Sequence, residues 1–182
     1  MLCVDEEVED ACSALTAQIY EDDFAGDGAE THFHITACYG THTHDPEDVA
    51  RVIKSLGMDE VRFTVRAMST FPPSKHSDGA SVLKLDIESE DLDRVNAAIR
   101  KELATTDSFP DYHAHLTLAY LKQDKVEKYV AELGSENPLS GREFTSNRFV
   151  FSGQDGTKSE IKLRHSAEPS HSADEVVERL LA

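Results

Sequence analysis

The sequence contains HITACY at residues 34–39 and HLTLAY at residues 115–120, and both segments follow the pattern His-aliphatic-Thr-x-x-Tyr. A single His-x-Thr is expected by chance in a chain with nine histidines, but two copies of the longer pattern are not. In a β-strand, residues i and i+2 lie on the same face. The repeat therefore predicts two strands, each with a histidine and a threonine on one face and aliphatic residues on the other.

The four polar residues of the repeat are candidate catalytic residues. Histidine has an unperturbed pKa of about 6.5, so near neutral pH one of the rings of His34 and His115 could accept a proton while the other donates one. Thr36 and Thr117 add hydroxyl donors on stiff β-branched side chains. Two imidazoles and two hydroxyls that converge on one point would suit a phosphodiester. The sequence thus predicts one site built from two distant segments.

A tyrosine ends each copy of the repeat, five residues after the histidine. On an ideal strand this odd spacing turns Tyr39 and Tyr120 away from the face that carries the histidines. We therefore predict that both rings pack in the hydrophobic core, as buried tyrosines commonly do.

The two His-hydrophobic-Thr motifs, 81 residues apart (115 minus 34), resemble those of the 2H phosphoesterase superfamily, also called RNA-ligase-like or cyclic phosphodiesterases. The resemblance covers roughly residues 12–164. It implies a metal-independent phosphodiesterase without a cofactor, in which the four motif residues are catalytic. Three further stretches are similar to phage-encoded members: SVLKLDI at 81–87, SFPDYHAH at 108–115 and FVFSGQDGT at 149–157.

The resemblance leaves the substrate open. It allows 2′,3′-cyclic phosphates, 2′-5′-linked oligonucleotides or the cyclic oligonucleotide messengers of antiviral immunity. The phage-like stretches and the acidic composition favour the last group, and with it a role in immune evasion. A nucleotide-binding module without turnover is the alternative from a different functional class.

The composition restricts the partners. Eighteen basic against thirty-five acidic side chains give a formal charge of −17, which predicts repulsion of long RNA or DNA but permits a small nucleotide. No apolar run approaches the roughly 20 residues that cross a bilayer, and the acidic start MLCVDEE is unlike a signal peptide. Three cysteines without a Cys-x-x-Cys pair fit a reducing compartment. We expect a cytoplasmic protein, in the host cytoplasm if phage-encoded, without a membrane partner.

Lys84 and two further histidines are candidate substrate-binding residues. In a predicted strand at 81–88, Lys84 lies on the face opposite the aliphatic residues, so it could reach a phosphate. A solvated strand lysine is the alternative. His32 and His113 precede the motif histidines by two residues and could contact substrate at the rim.

Paired histidines also suggest a metal site. His-x-His occurs at residues 32/34, 42/44 and 113/115, and same-face imidazoles on strands can bind zinc. No Cys-His ligand set or His-Glu-x-x-His helix accompanies the pairs, and metal binding would not explain the threonines. We therefore predict no metal site.

Local patterns predict the remaining elements. Asp45-Pro46 begins a helix that ends before Gly57, and Ser89 caps a helix that reaches about Ala104. Alternation predicts a strand at 60–69 with Phe63, Val65 and Ala67 on its buried face and Met68 on the other. The remaining predictions are a strand or helix at 12–19, an acidic loop at 21–30, a helix at 124–133 and a hairpin that turns at 155–156.

The element order predicts an α+β domain of two pseudo-symmetric lobes around a central cleft, each lobe an antiparallel sheet with outer helices. We expect residues 1–164 to form this single domain. Residues 165–182 are predicted to be a polar linker and a short helix, which begins with the capping-box pattern Ser172-Ala173-Asp174-Glu175.

Overall fold

A computed structural model of the protein describes residues 1–106 and 111–163. These residues form four α-helices and nine β-strands, which confirms the predicted α+β class. The helices are α1 (Glu6–Thr16), α2 (Pro46–Ser55), α3 (Glu90–Glu102) and α4 (Val126–Glu136). The strands are β1 (Leu2–Cys3), β2 (Phe24–Ala29), β3 (His34–Ile35), β4 (Val61–Phe71), β5 (Ser81–Glu88), β6 (His115–Leu121), β7 (Glu143–Ser146), β8 (Arg148–Ser152) and β9 (Lys158–Lys162).

The strands form one open sheet, and every strand pairing among the described residues is antiparallel. The order is β7-β4-β5-β6-β3-β1-β8-β9, with β2 also paired to β6. The motif strands β3 and β6 are neighbours in the middle of this order. The eight strands of this order therefore fall into two groups of four on either side of a boundary between the two motifs, and β2 is a ninth strand outside this order.

A continuous row of buried side chains crosses the sheet on the face opposite the motif histidines. Each member is at most 6% exposed, and burial of one such side chain contributes about 1.5–3 kcal/mol. In order from β4 to β8, the row consists of Met68, Leu85, Leu116, Ile35, Leu2 and Phe149. This row joins both motif strands to one hydrophobic core.

A bulge in β4 changes which of its residues are buried. Val65 pairs with Ile87 but Met68 pairs with Leu85, so β4 holds one more residue than β5 in this interval. A bulge of this kind shifts the side-chain alternation by one residue. Met68 is buried and Ala67 is exposed, so the prediction that Ala67 is buried and Met68 lies on the other face is wrong.

Three helices begin at capping residues. The Asp45 carboxylate accepts a hydrogen bond from the Glu47 backbone N–H at 2.9 Å, and the Ser89 hydroxyl accepts one from the Leu92 N–H at 3.0 Å. These caps confirm the predicted starts of α2 and α3. Asp5 caps α1 in the same way through the Val8 N–H at 2.9 Å. The strand alternative for residues 12–19 is wrong over Cys12–Thr16, which lie in α1.

The second half of the chain contains the predicted helix α4 and the predicted hairpin, in which Phe149 on β8 pairs with Ile161 on β9. Within the segment predicted as an acidic loop at 21–30, Phe24–Ala29 instead form β2, which pairs with β6. No described helix is long and apolar enough to cross a membrane. The predicted linker and final helix at 165–182 lie outside the described residues.

Candidate active site

The register between the motif strands places their catalytic candidates in crosswise pairs. Ile35 on β3 pairs with Leu116 on β6, and both are fully buried. Flanking residues in an antiparallel pair lie opposite each other on the other face, with Cβ atoms about 4.5–5.5 Å apart. Since Ile35 pairs with Leu116, this register places His34 opposite Thr117 and places Thr36, the residue after β3, next to His115. The structure therefore brings all four motif residues together on one face of the sheet.

These pairs belong to two polar rows that run across neighbouring strands. The first row, from β1 to β4, consists of Cys3, His34, Thr117, Lys84 and Ser69. The second row consists of Thr36, the residue that follows β3, with His115 on β6 and Asp86 on β5. The two histidines occupy diagonal positions in adjacent rows, a spacing of about 7–8 Å for antiparallel strands. A phosphate group between the rows would lie within reach of both rings.

Both motif histidines have the same ring orientation. The Nδ1 atom of His34 is 2.8 Å from the backbone oxygen of His32, and the Nδ1 atom of His115 is 2.8 Å from the backbone oxygen of His113. Because a carbonyl oxygen only accepts hydrogen bonds, Nδ1 carries the proton in both rings. Each neutral ring therefore presents an unprotonated Nε2 atom that can accept a proton.

His32 and His113 thus fix the catalytic candidates through their backbone oxygens. Their own side chains are exposed, and the His32 ring contacts the Thr31 hydroxyl at 3.0 Å. The sequence pattern revealed these two positions but not this backbone role.

The environment of His115 favours its neutral form. Burial lowers the pKa of His115 below the ordinary value of 6.5, and the charges of Lys84 and His34 lower this pKa further. The hydrogen bond to the His113 carbonyl and the charge of Asp86 act in the opposite direction without reversing the shift. His115 is therefore largely neutral at pH 7.

Lys84 is buried beside the catalytic candidates, with 5% of its surface exposed, which contradicts the alternative of a solvated lysine. Its Nζ atom donates hydrogen bonds to the Ser69 hydroxyl at 2.7 Å and to the Asp86 carboxylate. It also lies 4.3 Å from the centre of the Phe71 ring, whose edge-to-face contact with His115 spans 4.8 Å. A buried ammonium group requires such partners, and they hold this positive charge next to His115.

Two side chains that the sequence motifs did not indicate hold the segment after β3. The Tyr112 hydroxyl donates to the Thr36 backbone oxygen at 2.9 Å, and the buried Asn96 amide donates to the Ala37 oxygen at 2.8 Å. Burial raises the pKa of Tyr112, so its hydroxyl keeps the proton that it donates. Both hydrogen bonds are accepted by backbone oxygens. Because every residue has such an oxygen, these contacts leave no recognisable pattern of residue types in the sequence.

A cavity of about 430 Å³ adjoins the site and is lined by Thr36, His115 and Thr117. His34 and Lys84 are not among its described lining residues. The rest of the wall combines aromatic or apolar residues with polar ones. The first group is Cys38, Tyr39, Phe71, Pro72, Val82, Tyr112 and Tyr120, and the second is Ser74, His76, Ser77, Asn96, Asp111 and His113. Three of the four motif residues therefore open onto a pocket with a mixed wall.

The predicted core packing of the repeat tyrosines is wrong. β6 has one extra residue relative to β5, because Lys84 pairs with Thr117 but Leu83 pairs with Ala119. This bulge reverses the alternation after Thr117 and turns Tyr120 into the cavity. Tyr39 follows the end of β3 and is 61% exposed at the cavity wall.

A second, larger hollow of about 730 Å³ contains none of the motif residues. Its wall includes six carboxylates, those of Asp59, Glu60, Glu88, Glu90, Asp91 and Glu143. Such a surface repels a phosphate, so this hollow is a poor place for a nucleotide.

The paired histidines do not gather into a metal-binding cluster in the part of the chain that the structure describes. No group of three or more His, Cys, Asp or Glu side chains there has a geometry that could hold a metal ion. His42 instead contacts the Thr106 hydroxyl through Nε2 at 3.0 Å.

Comparison with known proteins agrees with this geometry. No curated protein matches the chain. The family model of the 2′-5′ RNA ligase superfamily matches residues 32–158, more than half of the 182 residues, and this range contains both motifs and the cavity residues described above. The chain therefore belongs to the 2′-5′ RNA ligase superfamily, which is the 2H phosphoesterase superfamily.

Proposed function

We propose that this protein hydrolyses phosphodiester bonds of small nucleotides by acid/base catalysis with His34 and His115, without a metal or other cofactor. Membership in the superfamily supports a phosphodiesterase-type activity. The observation that carries the proposal is the crosswise arrangement of two His/Thr pairs in which both rings present Nε2.

Burial lowers the pKa of His115, which supports the assignment of this residue as the general base of the hydrolytic direction. Its Nε2 atom takes a proton from a water molecule as the water oxygen bonds to phosphorus. His34, in its protonated form, donates a proton from Nε2 to the leaving ribose oxygen as the bond between that oxygen and phosphorus breaks. Proton exchange with solvent then restores both rings, and the roles reverse in the opposite direction.

The threonines and Lys84 stabilise the charge that builds on the phosphoryl group. Thr36 and Thr117 donate hydrogen bonds to its non-bridging oxygens. Lys84 lies beside Thr117 across the strands and adds a buried positive charge. The exposed rings of His32 and His113 contact the substrate at the rim.

A small nucleotide fits the electrostatics better than a long polymer. With a formal charge of −17, the surface repels polyanions, while a cavity of about 430 Å³ can hold a small ligand. Among small nucleotides we favour cyclic oligonucleotide immune messengers, and with them a role in immune evasion in a host cytoplasm. The phage-like stretches of sequence support this choice. The alternatives are 2′,3′-cyclic phosphates and 2′-5′-linked oligonucleotides.

A substrate panel tests the proposal. The purified full chain is incubated with cyclic dinucleotides, cyclic trinucleotides, 2′,3′-cyclic mononucleotides and a 2′-5′-linked dinucleotide, and the products are separated by chromatography. We expect cleavage that persists in EDTA, is lost in His115→Ala, and is retained in His44→Ala, a control at an exposed histidine outside the site.

Each outcome of the panel has a clear consequence. Cleavage of mononucleotides alone removes the immune-messenger substrate but keeps the phosphodiesterase. Binding without cleavage of any of these substrates contradicts the enzyme and supports the binding module. Complete loss of activity in EDTA contradicts the metal-independent mechanism.

A further inference from the structure

The first polar row extends beyond the motif strands, on the face of the sheet that carries the motif residues (the catalytic face). β1 pairs with β8 through Leu2 and Phe149, which are both buried on the opposite face. Since side chains alternate between the two faces, this register places Arg148 next to Cys3 on the catalytic face. Cys3 in turn pairs with His34. Arg148 therefore lies two strands from His34, a separation of about 10 Å at roughly 4.8 Å per strand.

Basic side chains outnumber acidic ones on the catalytic face of the two outer strands. On β8 and β9 this face carries Arg148, Val150, Ser152, Lys158, Glu160 and Lys162. Arg148 and Lys162 are direct cross-strand partners at the end of the polar row. They therefore form a local pair of positive charges in a chain whose formal charge is −17.

The two cations of this pair are accessible to a ligand. The Arg148 side chain is exposed, and no hydrogen bond or ion pair joins its guanidinium group to another described residue. Lys162 contacts the Glu160 carboxylate at 3.1 Å, but 72% of the Lys162 side chain is exposed. An exposed ion pair of this kind contributes little free energy, so a phosphate can replace the carboxylate.

Arg148 differs in this respect from most of the other arginines. Five of them each contact a carboxylate, namely Arg51, Arg62, Arg66, Arg94 and Arg142. In a chain with this excess of acidic residues, an arginine without a carboxylate partner on the catalytic face is a candidate for binding an anion.

The position of the pair matches the leaving side of the proposed reaction. In that mechanism His34 gives a proton to the leaving ribose oxygen, so the departing part of the substrate lies on the His34 side of the phosphate. The cavity lies on the other side, because its described lining residues include His115 but not His34. A further phosphate on the departing ribose would therefore extend past Cys3 toward Arg148 and Lys162.

We propose that Arg148 and Lys162 form a subsite for a second phosphate, which is carried by the nucleotide that leaves when the scissile bond breaks. This inference rests on the proposed function, which it deepens by naming the substrate class: nucleotides with at least two phosphate groups, such as short oligonucleotides, rather than 2′,3′-cyclic mononucleotides. The Arg148 guanidinium group can donate to two phosphate oxygens at once, and Lys162 adds a second positive charge. Two cations do not reverse the long-range repulsion by the rest of the surface; they act on a phosphate that has reached the site.

Two ligands without a phosphodiester bond test the subsite in the absence of turnover. Adenosine 3′,5′-bisphosphate and adenosine 5′-monophosphate are titrated into the full chain by calorimetry. We expect the bisphosphate to bind roughly fivefold more tightly, as for an exposed charge-assisted contact. Without the subsite, the formal charge of −17 predicts the opposite order, because a second phosphate only adds repulsion.

Matched variants assign the preference to the two cations. Arg148→Gln should abolish the preference for the bisphosphate and Lys162→Gln should reduce it, while Arg148→Lys should retain part of it. Lys158→Gln is the control and should leave the preference unchanged, because Lys158 lies on the same face of β9 but four residues from Lys162. All three side chains are exposed, so each variant is expected to fold, which circular dichroism checks.

The outcomes separate this inference from the proposed function. Equal or weaker binding of the bisphosphate, no detectable binding of it, or an unchanged preference in Arg148→Gln overturns the subsite. So does a preference that Lys158→Gln removes as completely as Arg148→Gln, because the effect is then one of diffuse charge. If the preference and its loss in Arg148→Gln are observed but no phosphodiester of the panel is cleaved, the subsite stands and the hydrolase is wrong. If the panel shows cleavage while the two ligands bind equally, the hydrolase stands and the subsite is wrong.

Discussion

At the scale of single residues, the two motif histidines are held by identical hydrogen bonds from Nδ1 to a backbone oxygen two residues earlier. The bond sets the tautomer and thereby decides which nitrogen meets the substrate. His115 differs from His34 in its neighbours, because Lys84 and Phe71 pack close to it. Two rings with the same orientation can therefore serve different roles.

Replacement of Lys84 by glutamine is expected to move the acidic limb of the rate-pH profile to higher pH. Burial and the charge of Lys84 both lower the pKa of His115, so the wild-type limb lies below 6.5, the ordinary value, because the base must be neutral. Removal of the lysine charge, which also leaves Asp86 unpaired, raises this pKa. The measurement is kcat/KM between about pH 5 and pH 8.

The control for this prediction is Lys54→Gln, at an exposed lysine in α2, which should leave the limb in place. A limb that stays fixed or moves to lower pH in Lys84→Gln would show that His115 is not the base whose titration limits the rate.

At the scale of elements, the sequence predicts those helices and strands whose signals lie within a few neighbouring residues. Asp45 and Ser89 mark helix starts because their side chains satisfy backbone N–H groups a few residues away. The alternation of the motif strands placed each histidine and threonine on one face. The pairing of β3 with β6 is harder to predict from the sequence, because the register between strands that are distant in the chain depends on tertiary packing.

Bulges account for the clearest errors at this scale. The bulges in β4 and β6 each insert one residue and reverse the faces that follow, which exposes Ala67 and turns Tyr120 into the cavity. Neither position contains a glycine or proline that would mark it. Strict alternation of side chains between the two faces therefore fails beyond each bulge, although it holds for the motif residues themselves.

The hydrogen bond from Tyr112 links the segment that leads into β6 with the end of β3. Tyr112→Phe removes this donor and is expected to lower kcat several-fold with little change in KM, because the position of Thr36 loses its support. The free energy of unfolding should fall by about 1 kcal/mol, as for a typical lost hydrogen bond. Steady-state kinetics and urea titration measure the two effects.

Tyr20→Phe is the matched control, since Tyr20 is exposed and lies outside the cavity. If Tyr112→Phe matches this control in both kcat and the free energy of unfolding, the hydrogen bond between the two motif segments contributes to neither catalysis nor stability.

At the scale of the whole molecule, the formal charge of −17 opposes the approach of any anionic substrate. Salt shortens the range of this repulsion, since the Debye length falls from about 30 Å at 10 mM to about 10 Å at 100 mM. We therefore expect KM for an anionic nucleotide to fall as salt rises over this interval, with kcat little changed. A KM that rises steeply with salt would indicate a basic binding surface instead.

The proposed mechanism requires that His34 and His115 act as one unit, and a double-mutant comparison tests this most directly. The kcat for the best substrate of the panel is measured for His34→Ala, His115→Ala and the double variant. Residues that act as a unit show non-additive losses. We predict that each single variant loses roughly 100-fold or more and that the double variant loses little further. Losses that multiply in the double variant, or a single variant with near wild-type kcat, would contradict the account.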